Sequence, residues 1–168
     1  MKEKISPEEI TIRTTLQPGD IGYITYLHGY LYKKEYDYGI AFETYVAAGL
    51  NEFYNQYDEA KDRAWIAEHN EKIVGFLLLM HRGDAAQLRY FILEPAYRGL
   101  GLGKKLMSLF MAHFRNTGYR SAYLWTTHEL SAAAHLYTNH GFRLTEEKES
   151  KAFGKLVREQ KYERESST

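Results

Sequence analysis

The residues best placed to do chemistry are Arg98-Gly99-Leu100-Gly101-Leu102-Gly103-Lys104. They follow an apolar stretch, Gln87 to Leu93, that reads as a strand. They lead into Leu102, Leu106, Leu109, Phe110 and Phe114, which recur at helical spacing until Gly118. A glycine-rich turn between a strand and a helix N-terminus gathers backbone N–H groups and the positive end of the helix dipole at one point, and that arrangement binds phosphate. Glycine serves twice there, because a Cβ would hold a pyrophosphate off the amides and because some turn positions need positive φ. Geometry alone leaves the ligand open. A nucleoside triphosphate loop needs Ser or Thr after Gly-Lys, whereas Lys105 follows Gly103-Lys104. A dinucleotide fingerprint reads G-x-G-x-x-G, whereas Gly99, Gly101 and Gly103 are spaced by twos and no early βαβ unit surrounds them.

The elements that must position this loop can be read from periodicity. Ile10 to Thr14 alternates as a strand, and Pro18-Gly19-Asp20 breaks it ahead of a helix from Ile21 to Tyr36. A second helix covers Ile40 to Tyr57, with Phe42, Val46, Leu50 and Phe53 inward. Arg63 to His69 and Ile73 to His81 form a hairpin across Asn70-Glu71-Lys72. The strand Gln87 to Leu93 ends at Glu94-Pro95, the strand Ala122 to Thr126 follows the long helix, and Leu130 to Asn139 is a helix stopped by Gly141. Strands at Phe142 to Glu147 and Leu156 to Tyr162 complete the chain. This order predicts an α/β domain with a mixed central sheet and helices on its faces.

Composition removes several functions. The 168 residues and 44% hydrophobic content suit one domain, with a structured core over about residues 10–164. Lys+Arg and Asp+Glu both number 22, so no excess of cations offers itself to nucleic acid. The absence of cysteine excludes disulfides, zinc thiolates and thiol nucleophiles, and fits a cytoplasmic protein. Met1 to Ser6 mixes acids with bases and lacks the apolar run of a secretory signal, and Val74 to Met80 is too short to span a bilayer as a helix. The histidines show no metal-ligand spacing, so no metal is expected, and no G-x-S-x-G motif occurs.

The run Arg98-Gly99-Leu100-Gly101-Leu102-Gly103 resembles the Q/R-x-x-G-x-G/A pattern of the GNAT acetyltransferases, and Leu136-Tyr137-Thr138-Asn139-His140-Gly141-Phe142 resembles their L-Y-x-x-x-G-F signature. The likeness extends over nearly the whole chain. It implies the GNAT fold, with a mostly antiparallel sheet of about seven strands. It also implies an N-acetyltransferase that uses acetyl-CoA as co-substrate and acts on an amine by direct attack in a ternary complex. Carried over by position, Phe91, Ile92 and Leu93 would meet the pantetheine through their main chain, and Arg98 to Lys104 would cradle the pyrophosphate. Tyr137 would be the general acid for the departing thiolate; without the Gly141-Phe142 context, a tyrosine on an inward helix face reads as core. Leu130 stands where the family often has an Asn that touches CoA. The family's glutamate base has no counterpart in Leu88-Arg89-Tyr90-Phe91, which leaves Glu35, His128 or water to take the proton.

His28-Gly29-Tyr30-Leu31-Tyr32 with Glu35-Tyr36, and Glu146-Glu147-Lys148 with Phe153-Gly154, further resemble the acetyltransferase domain of MarR-GNAT fusions, here expected as a stand-alone version. The acceptor would be an amine on a small molecule or peptide. The early tyrosines Tyr23, Tyr26, Tyr30, Tyr32, Tyr36, Tyr38 and Tyr45, with Glu35, Asp37 and Glu43, suggest an aromatic site for a cationic amine. The resemblance also allows a homodimer. A different class remains beside it, an acetyl-CoA sensor or interaction module with little turnover.

Overall fold

The computed structural model describes residues 4–167; Met1 to Glu3, part of the charged lead, and Thr168 lie outside the described residues. Strand β1 (Thr11–Arg13) is followed by helices α1 (Asp20–Tyr36) and α2 (Ile40–Asn55). Strands β2 (Arg63–His69), β3 (Lys72–Arg82) and β4 (Ala85–Leu93) lead to α3 (Leu102–Thr117), then β5 (Ser121–Thr127) and α4 (Ser131–Asn139). Strands β6 (Arg143–Ser150) and β7 (Val157–Glu165) close the sheet. Its order is β1-β2-β3-β4-β5-β7-β6, and β4 with β5 is the parallel pair in an otherwise antiparallel sheet.

The period-two rule divides β3 between two cores. Leu77 and Leu79 pack with Leu106, Met107, Phe110 and Phe114 of α3, whereas Phe76, Leu78 and Met80 pack with Ile24, Leu27 and Leu31 of α1 and Val46, Leu50 and Phe53 of α2. Burial on both faces is why this strand reads as an unbroken apolar run. Asn70 and Glu71 both adopt positive φ (50° and 62°), the turn a tight hairpin between β2 and β3 requires. At the far edge β6 is exposed and charged, which protects it from pairing with other chains.

Two irregularities create the site. Strands β4 and β5 pair only at Ala85, Ala86 and Gln87, opposite Ser121, Ala122 and Tyr123, and then part. On its other edge β4 carries a bulge: Phe76 pairs with Ile92 but Leu78 pairs with Arg89, so two steps on β3 face three on β4. Tyr90 takes up the extra residue at φ 58°, a left-handed conformation unusual for a bulky side chain. The bulge sends both Arg89 and Tyr90 toward α2.

Candidate active site

Beyond Gln87 the edge of β4 that faces β5 has no ladder partner, so its backbone groups are free for a ligand. A cleft of about 510 Å³ opens there. Of the ten residues expected to hold acetyl-CoA, Phe91, Ile92, Leu93, Arg98, Gly99, Gly101, Gly103 and Lys104 line this cleft together. Leu100 and Leu102 do not line it. Leu102 turns inward and is 4% exposed, so its contribution to a ligand is its amide.

The loop adopts the backbone that its glycines permit. Gly99 (φ 77°) and Gly101 (φ 82°) are both left-handed, and a Cβ at either would meet nothing within 4 Å. Glycine is needed there for conformation rather than for protein packing. Gly103 differs, because a Cβ would press on Phe91 at 3.3 Å and Leu93 at 3.4 Å, so it lets the first turn of α3 sit against β4. The first helical bond runs from the Lys105 N–H to the Gly101 carbonyl at 3.0 Å. The amides of Leu102, Gly103 and Lys104 therefore have no intrahelical acceptor, and Gly103 and Lys104 line the cleft. This is a site suited to an anionic, extended ligand such as the pyrophosphate and pantetheine of CoA.

Arg98 spans the same mouth. Its guanidinium donates two hydrogen bonds to Glu35 of α1, at 2.7 and 3.0 Å, and the pairing raises the arginine's pKa. Glu35, one of the two candidate bases, is thus engaged at the rim of this cleft. His128, the other, is exposed; its Nδ1 accepts the Arg158 N–H at 3.0 Å, and it lines neither cavity of the site. The geometry brings neither to Tyr137.

A second, smaller cavity of about 90 Å³ lies on the α1–α2 side of the split. Tyr32, Phe91 and Leu130 line both cavities and mark where they adjoin. Tyr137 of α4 reaches the inner one, 5% exposed and ringed by Phe91, Phe142 and Tyr162 at centroid distances of 6.2–6.3 Å. Its hydroxyl makes no hydrogen bond among the described residues, and burial pushes the phenol's pKa well above its ordinary value. It therefore carries its proton at neutral pH.

The aromatic wall differs from the sequence expectation. Tyr32, Tyr38 and Tyr45 line the inner cavity and Tyr36 the outer cleft, but Tyr23, Tyr26 and Tyr30 stand exposed along α1. The expected carboxylates are also elsewhere: Asp37 pairs with Lys33, Glu43 packs against Gly29 on the outer face, and Glu35 holds Arg98. Helical rotation explains this: Tyr23, Tyr26 and Tyr30, three and four residues apart, share one exposed face, whereas the two residues from Tyr30 to Tyr32 turn the side chain to the opposite one. Sequence reasoning missed Phe153, Glu159 and His28 on the inner wall. His28 is fully buried, holds its Nδ1 against the Ile24 carbonyl at 2.8 Å, and has its pKa pushed down by burial to about 4. Phe153 arrives through the β6–β7 loop, where the Gly39 N–H donates to its carbonyl at 2.8 Å.

Residues 24–142 match the model of the acetyltransferase (GNAT) family. The chain belongs to this family. It is 32% identical over 113 residues to the uncharacterized N-acetyltransferase YjgM of Escherichia coli, a match that covers 63% of this chain and 68% of that protein. It spans 15–48% of three further curated relatives. Among solved structures, a GNAT-family acetyltransferase from Staphylococcus aureus superposes with a TM-score of 0.75 at 23% identity, covering 93% of this chain and 98% of that one. The spermidine N-acetyltransferase of Vibrio cholerae, solved with CoA and spermine, gives a TM-score of 0.67 at 22% identity over 94% of this chain and 96% of that one. The fold is the GNAT fold, and the chain is an acyltransferase by its family. No helix among the described residues is long and apolar enough to cross a membrane.

Proposed function

We propose that this chain transfers the acetyl group of acetyl-CoA to a primary amine of a small molecule or peptide, with about residues 10–164 acting as one acetyltransferase domain. The observation that carries the reading is the pair of adjoining cavities at the split between β4 and β5. One is flanked by the free amides of α3, the other by a protonated tyrosine. The amides of Leu102, Gly103 and Lys104 take the pyrophosphate, and the unpaired edge at Phe91, Ile92 and Leu93 pairs with the pantetheine. Arg98 exchanges part of its contact with Glu35 for phosphate.

A free β4 amide polarises the thioester carbonyl. The amine, having lost a proton to water, attacks that carbon, forming the C–N bond. The C–S bond then breaks and Tyr137 protonates the departing sulfur, while the second proton shed by the nitrogen returns through water to the phenolate. The likeness of His28 to Tyr32 to the acetyltransferase domain of MarR fusions supports a finer placing near those domains.

The test is release of CoA thiol from acetyl-CoA by the purified protein across a panel of diverse amines. Amine-dependent release is expected. Binding of acetyl-CoA with no release from any amine would replace the enzyme by a sensor.

A further inference from the structure

Two lining residues of the inner cavity have opposite formal charge, Arg89 on β4 and Glu159 on β7. Arg89 reaches it because of the bulge, which turns its side chain onto the α2 side beside Tyr90. There its guanidinium lies over the rings of Tyr45 and Tyr90, at 5.4 and 4.7 Å from their centroids. No carboxylate among the described residues lies within 4.0 Å of it; Glu52 of α2 is taken by Arg82. The guanidinium packs beside Gly49 of α2 and has no hydrogen-bond acceptor among the described residues, so its N–H groups are left for an anion.

Glu159 enters the same cavity from β7. It is half-buried, pairs in register with Thr127 of β5, and has no cation within 4.0 Å among the described residues. Its cross-strand neighbour Lys148 extends over the Trp125 ring instead, at 4.8 Å. The rest of the lining is mostly aromatic, with Val46, Leu88, Leu130 and Gln87 among it and the Tyr38 hydroxyl bonded to Thr127 Oγ1 at 2.6 Å. A cavity with one unpaired charge of each sign matches a ligand that carries one of each. A polyamine would instead place a second positive charge against Arg89.

We infer that the acceptor is an amine that also bears a carboxylate, with Arg89 binding the carboxylate and Glu159 the ammonium before it is deprotonated. This rests on the acetyltransferase reading above and names the substrate class of that site.

The test compares amino acids with the amines made by removing their carboxylate: phenylalanine with phenethylamine, leucine with isoamylamine, lysine with cadaverine. Thiol release is followed for the wild type, Arg89→Gln and Arg89→Lys. The wild type should prefer the carboxylate-bearing member in kcat/KM by about ten- to a hundredfold, the range of one charged hydrogen-bonding site. Arg89→Gln should reduce the ratio to about threefold or less, and Arg89→Lys should keep an intermediate ratio.

Equal use of both members, or preference for the decarboxylated amines or for spermidine, by the wild type overturns the inference and leaves the acetyltransferase reading standing. So does an unchanged ratio in Arg89→Gln, the result expected if Arg89 only braces the tyrosines. If no amine of either kind releases thiol, the acetyltransferase reading falls and takes this inference with it. Should Arg89→Gln fail to fold, Arg89→Lys decides: an intermediate ratio supports the assignment and an unchanged one overturns it.

Discussion

Replacing Tyr137 by Phe separates catalysis from folding unusually well at this site. The ring is 5% exposed and packed by Phe91, Phe142 and Tyr162, contacts that phenylalanine keeps. The hydroxyl has no protein partner among the described residues, so its removal strands no buried donor or acceptor. The expected change in stability is at most about 1 kcal/mol, which for a chain of this size shifts Tm by roughly 2–4 °C or less. Acetyl-CoA affinity should stay within about threefold, because the proposed binding places the ligand's anionic groups at the α3 end of the cleft, away from Tyr137.

Turnover is another matter. Without the acid the sulfur must leave as a thiolate into the dry surroundings that already lift the phenol's pKa, and loss of a positioned acid lowers rates by about 10²–10⁴-fold, or about 3–5 kcal/mol of barrier. Thiol release gives the rate, calorimetry the affinity, and a melting scan the stability. A Tyr137→Phe enzyme that keeps more than about a third of wild-type turnover would refute the acid role, as would a parallel loss of binding and Tm.

Other outcomes follow from the same geometry. Gly101→Ala puts a Cβ at φ 82° with nothing nearby to clash, so it should cost about 1–2 kcal/mol of backbone strain in a melting scan and weaken acetyl-CoA binding in calorimetry. Gly49→Ala would place a Cβ 1.6 Å from the Tyr90 hydroxyl; denaturant unfolding should show a loss of about 1–3 kcal/mol, partly recovered by adding Tyr90→Phe. Glu35→Gln frees Arg98 for phosphate and should tighten acetyl-CoA a few-fold at low salt, less at high salt; weaker binding would mean that Glu35 serves to aim the arginine. His28 has a folded pKa of about 4 against an ordinary 6.5, so its unfolded form binds a proton first. Its contribution is full above pH 6.5 and is lost toward pH 4 at about 1 kcal/mol per pH unit, a slope that His28→Leu should flatten in pH-dependent unfolding.

Much of this was legible in residue order. The double-sided burial of β3, the strand before Glu94-Pro95, and the spacing of Leu102, Leu106, Phe110 and Phe114 each follow from local periodicity, and the helices and strands lie where those patterns place them. Gly99 and Gly101 could be read because only a few residue types tolerate their backbone. The inner cavity could not. Leu88-Arg89-Tyr90-Phe91 looks like an ordinary strand, and nothing in its residue types marks the bulge at Tyr90 that decides where Arg89 points. Glu159 reaches the site only through its pairing with Thr127, a contact between residues distant in the chain. The tyrosines of α1 were misassigned because composition counts them together, while helical rotation divides them between cavity and solvent.

In the proposed reaction the split between β4 and β5 seats the thioester beside Tyr137. A crystal structure with CoA measures this as the distance from the CoA sulfur to the Tyr137 hydroxyl. Direct hydrogen-bonding range, or about one water's breadth more, is the expected result, with the pyrophosphate on the amides of Leu102 to Lys104. A sulfur outside the split, or a pyrophosphate away from the α3 N-terminus, would contradict it.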